Sequence, residues 1–289
     1  TTDRDWRNVW LAGSVLQEMG LLRVRERALG RDLLARVQQR LVDLLQTGAL
    51  AAGERAAAGD ALAHLGDPRF DAAAWSLPTE PLLGFIEIPA GPFIMGRDSS
   101  AKTDISAWEG PEHERTLPTY YIARYPVTVA QFRAFCRTTD YTPEDADSLR
   151  DPDNRPVRWI TWHEALRYCE WLSAILRDWA ETPEPLATLL RTGLAGGPPW
   201  RITLPSEAEW EKAARGPATG AVADRIYPWG SGFVPTAVNY RGSGINATNT
   251  VGAFPVGVSP YGVEEMSGNV WEWTRSLWGT DYQKPDFGY

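Results

Sequence analysis

From Gly216 onward the chain shows neither the alternation of a strand nor the spacing of a helix. It nevertheless keeps planting aromatic side chains among Gly, Pro, Asn and Ser. The whole chain has 14 Trp, 26 Gly and 22 Pro in 289 residues, so large flat rings and turn residues dominate its design. A polypeptide of this kind is held by aromatic packing between irregular loops. A collagen, a disordered tail and a membrane bundle are excluded, because 43% hydrophobic and 23% charged residues are ordinary for a globular chain and no run of 18 apolar residues occurs. The formal charge of −8 argues against nucleic acid as a partner, since backbone binding needs a positive surface. The first residues, TTDRDWRNVW, lack the apolar core of a signal peptide, and a cytoplasmic location is expected.

The first 75 residues have a different texture, rich in Ala, Leu and Arg, with no Pro before Pro68. Trp6, Trp10, Leu11, Val15, Leu16 and Met19 predict a helix ending near Gly20. Leu33, Leu34, Val37, Leu41, Leu44 and Leu45 predict a second over 31–46, and a third runs from Ala51 to Leu65. Together they read as a small bundle or the end of a helical repeat array. Residues 76–84, SLPTEPLLG, read as a linker, and a second domain spans 85–289. There, 85–89 and 91–96 read as two short strands around a tight turn, and 120–125 as another strand. Helices are expected at 129–138 after Thr128, at 161–179, and from Ser206 to about Arg215, where Ser206 and Glu209 form a capping-box pattern.

Seven blocks in this second part carry a family likeness. They are FIEIPAGPFIMG (85–96), PEHERTLPTYYIARYPVT (111–128), RPVRWITWHEALRYCEWL (155–172), RITLPSEAEWEKAARG (201–216), YPWG (227–230), VGAFPVG (251–257) and YGVEEMSGNVWEWTRSLW (261–278). In this order the sequence resembles the formylglycine-generating enzyme (sulfatase-modifying factor) family, which also includes sulfoxide synthases. The resemblance implies an α+β, C-type-lectin-like fold with much irregular chain.

What the resemblance implies about chemistry is narrower. Members that oxidise a substrate cysteine use a reactive cysteine pair late in the chain, and no such segment precedes Tyr289. Cys136 and Cys169 lie among apolar residues and are read as core thiols, because a reactive thiol needs exposure and a positive neighbour. An iron site needs two histidines and a carboxylate, yet His64, His113 and His163 are widely scattered. Glu207, Glu209 and Glu211 are read as helix-terminal carboxylates. No Walker loop, dinucleotide fingerprint or nucleophile elbow is present, so neither a nucleotide nor a flavin is expected. Family members bind calcium through hard oxygens. Carried over, the resemblance assigns the Glu265 and Glu272 carboxylates with the Gly268 and Val270 carbonyls, and a second site at Asn239 and Tyr240. At the second site Ser243 and Asn246 stand where an acidic residue is often expected. The alternative for the first site is a metal-free turn in which Asn269 and Glu272 pair with backbone amides.

Two functions follow. One is a non-catalytic module that binds or displays a ligand or protein, as in the variable proteins of diversity-generating retroelements. The alternative is a metal-dependent oxidase of a substrate cysteine or thiol, with catalytic residues supplied by further chain. A family domain of this kind is closed by a C-terminal segment. The ending at Tyr289 therefore predicts bare apolar surface near Trp271 and Trp273, and a separate fragment as a possible partner.

Overall fold

The computed structural model describes residues 1–97, 110–218 and 225–276. The expectations for the closing stretch from 277 to Tyr289 lie outside the described residues. Four helices open the chain: α1 (Asp3–Met19), α2 (Leu21–Glu26), α3 (Ala28–Thr47) and α4 (Ala52–Leu65). Thr2 caps α1 through a reciprocal pair with Asp5. The short α2 has no capping side chain and too few residues for a periodic signal, so the sequence pattern alone did not mark it. Trp6, Leu16, Leu34, Leu41, Leu45, Leu62 and Leu65 form the core of this region. No helix among the described residues is long and apolar enough to cross a membrane.

This helical region is not free-standing. Ala253 and Phe254, from the far end of the chain, complete its core. Arg155 grips Asp60 on α4 through Nε and Nη2 at 2.6–2.9 Å. Asn154 Nδ2 donates to the Gly59 carbonyl at 3.1 Å and to Asp67 at 3.0 Å. Arg69, buried and paired with Asp67 at 2.6 Å, donates to the Val251 carbonyl. The stretch 76–84, read as a linker, carries β2 (Leu77–Pro78), which pairs antiparallel with β1 (Phe70–Asp71); a 3-10 turn follows at Pro81–Gly84. Leu77 is buried in the second core.

The remainder is α+β, with few and short strands. β3 (Phe85–Ile88) and β4 (Gly91–Met95) follow one another as expected, but they do not form a hairpin. β3 pairs with β6 (Tyr120–Ala123), while β4 pairs with β5 (His113–Leu117). The reason lies between them. The buried Lys212 ammonium takes the Pro89 and Gly91 carbonyls at 2.7 and 3.0 Å, which holds the connection open and sends the two strands to different partners. The helices follow: α5 (Val129–Thr139), α6 (Trp162–Asp178), α7 (Leu186–Thr192) and α8 (Glu207–Arg215). Thr128, Thr161 and Ser206 cap α5, α6 and α8, each with its capping box complete. The second core joins α5, α6 and α7 around Phe132, Phe135, Tyr168 and Leu176. Beyond α8 the described residues form loops and 3-10 turns.

Gly59 marks how tightly the two halves meet. A Cβ there would lie 2.0 Å from Thr250 Cγ2. In a free helix, Gly to Ala stabilises by about 1 kcal/mol. Here the sign should reverse: Gly59→Ala is expected to lose about 1–3 kcal/mol in urea unfolding. Unchanged or raised stability would show that the halves are not packed this closely.

Candidate functional site

Much of the rim of the main concavity comes from stretches with little regular structure, while α6 and α7 side chains, Cys169 and Leu190 among them, line its floor. It is an open groove of about 1420 Å³, larger than the roughly 300–1,000 Å³ of a typical small-molecule pocket. One wall is β6 and its continuation to Val127, and a second is 157–160, leading into α6. The third is 199–205, leading into α8, and the fourth is 269–275.

Tryptophan indoles hold these walls together. Trp162 Nε1 donates to the Thr274 carbonyl at 2.9 Å, and Trp273 Nε1 donates to the Ile160 carbonyl at 3.1 Å. On the other side, the Arg275 amide donates to the Pro205 carbonyl at 2.9 Å. Its guanidinium meets both oxygens of Glu209 at 2.8 Å. The Glu207 amide donates to Ser276 Oγ at 2.9 Å. Residues 271–276 thus form a strap between the starts of α6 and α8. Each such bond nets about 0.5–1.5 kcal/mol. Together they leave rings free at the mouth of the groove: Trp271 is fully exposed, and Trp159 and Trp273 are more than half exposed or nearly so, at 58% and 50%. Trp159 also has φ of 60°, an uncommon conformation for a bulky residue, and Arg158 lies 5.4 Å from its ring. Arg158 is itself anchored to Asp151 at 2.6 Å. Among the described residues, Trp271 and Trp273 are exposed at the groove mouth.

Both thiols are sealed. Cys136 and Cys169 are free and buried in the α5–α6 core. Burial pushes the Cys169 thiol up to about 12, with Glu170 adding to the effect, and burial raises Cys136 as well. Both shifts favour the thiol over the reactive thiolate. The histidines lie on α4, β5 and α6: His64 Nδ1 meets the Asp60 carbonyl, His113 Nδ1 meets the Pro111 carbonyl, and His163 packs edge-on against Trp162. Among the described residues, no three His, Cys, Asp or Glu side chains group as a metal site. Of the three helix-terminal carboxylates, Glu209 caps α8 and holds Arg275, while Glu211 accepts from the Gly96 amide and Arg215.

Of the six positions assigned to calcium, Asn239 and Tyr240 lie beside Ser243, whose Oγ is 2.9 Å from Asn239 Oδ1 and 2.7 Å from the Tyr240 carbonyl oxygen. The first site offers the right chemistry, carboxylate and carbonyl oxygens, but its carboxylates face different partners. Glu265 accepts from the Asn269 side chain at 3.0 Å and the Gly252 amide at 3.2 Å. Glu272 accepts from Trp210 Nε1 at 3.2 Å, and the Gly268 carbonyl accepts from the Val270 amide. Burial pushes the Glu265 carboxyl up to about 8, against the lowering effect of Asn269 and with Glu264 adding to the rise. The enclosing groove also raises Glu272, and its contact with solvent limits how far.

A model of the sulfatase-modifying factor enzyme 1-like domain matches residues 72–288. The chain belongs to this family. It is 30% identical over 220 residues to the hercynine oxygenase of Mycolicibacterium smegmatis, covering 65% of this chain and 44% of that protein. It is also 30% identical over 233 residues to the inactive C-alpha-formylglycine-generating enzyme 2 of Bos taurus, covering 71% and 73%. The chain thus spans less than half the length of the hercynine oxygenase it matches. Among solved structures, PvdO of Pseudomonas aeruginosa is similar with a TM-score of 0.49 and 24% identity, over 71% of this chain and 75% of that one. Treponema denticola variable protein 1 is similar with a TM-score of 0.45 and 22% identity, over 68% and 73%.

The raised Glu265 carboxyl gives a signed prediction. Between pH 4.5 and about 8 the folded chain holds a proton that the unfolded chain releases, so stability falls as pH rises through that window. Glu265→Gln should flatten the fall in melting temperature between pH 5 and 8. Identical slopes for the two proteins would contradict this account of Glu265.

Proposed function

We propose that this domain is a binding or display module that takes a ligand or protein in the groove and performs no thiol chemistry with its own cysteines. One contrast carries the reading: both thiols are buried, Cys169 at the apolar floor of the groove, and burial favours their protonated form, whereas the aromatic rings at the groove mouth are open to solvent. A groove too large for a small cofactor, framed by Trp159, Trp271 and Trp273, matches the flat, low-entropy contacts that aromatic side chains give a macromolecular ligand. That the family includes a member named as inactive is in keeping with this. The finer reading of the fold as a C-type-lectin-like scaffold, with loops free to change as in retroelement variable proteins, belongs to the same proposal. A rigid base allows loop residues to vary without loss of the core.

Calcium at Glu265, Gly268, Val270 and Glu272 is part of this proposal as a structural ion. What supports it is a half-buried carboxylate beside Glu264 with no cationic partner among the described residues, a strain that a divalent cation relieves. Its own residues already position the loop, and the ion would add rigidity. Added calcium should raise the melting temperature at pH 8, and Glu265→Gln should abolish the rise. No response to calcium in the wild-type protein would remove the ion from the account.

The functional test has two arms. Incubation with a cysteine-containing peptide, oxygen and copper(I) or iron(II) should leave the peptide mass unchanged. A random-peptide library selected on the protein should yield binders that Trp159→Ala with Trp271→Ala loses while melting temperature is kept. Conversion of the peptide cysteine, or binders indifferent to both tryptophans, would overturn the proposal.

A further inference from the structure

The helical region has a second apolar face that is left exposed among the described residues. On α1 the buried side is Trp6, Gly13 and Leu16. Leu11, Val15 and Met19 are exposed and recur one helical turn apart, so they form a separate stripe. The stripe continues into α2 and α3: Leu22 is 83% exposed, Leu29 is 80% exposed, and Leu33 follows one turn later. These residues gather at one end of the array. Arg40, late in α3, sits 4.4 Å over the ring of Trp6, early in α1. The two helices therefore run antiparallel, and α2 links the end of α1 to the start of α3. Met19, Leu22 and Leu29 lie at that linked end.

The same end is basic in an otherwise acidic chain. Residues 21–36 contain five arginines against Glu26 and Asp32, although the whole chain carries −8. Arg23, Arg27 and Arg36 are exposed and enter none of the ion pairs among the described residues. On α3, Leu29, Leu33 and Arg36 stand at i, i+4 and i+7 and so share one strip. A helix that terminates a stack shows a polar outer face, whereas one inside a stack is apolar on two sides. α1 is of the second kind.

We propose that this end of the helical region docks an amphipathic helix of a partner protein, one with apolar residues at one-turn spacing flanked by Asp and Glu. The leucines supply the apolar seat, and the unpaired arginines select the acidic flanks. A symmetric contact between two copies would set two patches of net positive charge against each other. An anionic membrane, unlike a single helix, would also face the acidic body of the chain.

The probe is a synthetic amphipathic peptide of about 20 residues, with leucines at one-turn spacing and glutamate flanks. A lysine-flanked peptide of the same apolar pattern and vesicles of phosphatidylglycerol serve as the comparisons. The glutamate peptide should bind the full chain, weakening with added salt. Leu22→Ser with Leu29→Ser should lower its affinity about tenfold or more without altering the helical circular dichroism. Arg23→Gln, Arg27→Gln and Arg36→Gln together should remove the salt dependence. Equal binding of the lysine-flanked peptide, binding to the vesicles in preference to the peptide, self-association that buries the patch, or no binding of the glutamate peptide would each overturn the proposal.

Discussion

Three asparagines do for the loop-built half of this protein what a sheet does elsewhere. Asn269 Oδ1 accepts from the Asn249 amide at 3.0 Å, and its Nδ2 donates back to the Asn249 carbonyl at 3.2 Å. The Asn269 amide donates to the Asn239 carbonyl at 3.0 Å, and Asn239 Nδ2 reaches Asn249 Oδ1 at 2.6 Å and the Ala247 carbonyl at 2.8 Å. A side-chain amide imitates a strand partner, one donor and one acceptor facing a backbone that has neither helix nor ladder. Asn239 and Asn249 are buried, so their polar groups would be costly without these bonds. The approach is close enough to demand Gly268, whose φ is 78° and whose Cβ would lie 2.3 Å from the Asn239 carbonyl oxygen.

The groove is a consequence of this hub. With 239, 249 and 269 fixed together, the chain that leaves Asn269 runs between the starts of α6 and α8. Indole N–H groups of Trp162 and Trp273 and the Glu209–Arg275 pair then hold residues 271–276 in place. The tryptophans therefore serve two purposes. Some are struts that satisfy carbonyls at a distance, and others, Trp159 and Trp271, turn their rings outward. The first group explains why an irregular chain keeps a defined shape. The second is what the groove offers to a ligand.

Part of this was legible in sequence because it is local. Thr128 with Gln131, Thr161 with Glu164 and Ser206 with Glu209 bond across three residues, and the capping pattern marks each of them. The apolar spacing of Leu34, Val37, Leu41 and Leu45 similarly marks α3. The short α2 and α7 lack a capping side chain and leave no such mark. The hub and the strap were not legible, since their partners lie far apart in the chain. Trp162 meets Thr274, and Asn154 meets Gly59, with no spacing rule to connect them. The calcium assignment of Asn239, Glu265 and Glu272 comes from the family resemblance, and the fold adds that Ser243, Asn269 and the Trp210 indole bond to them.

The central claim is that the asparagine hub, rather than any strand pairing, organises the loops that shape the groove. Hydrogen–deuterium exchange of Asn269→Ala against the parent protein measures this directly. Protection should fall together across 239–252 and 265–276, two stretches distant in sequence, while α3 and α5 keep theirs. A loss confined to residues beside position 269, with 239–252 still protected, would contradict the claim.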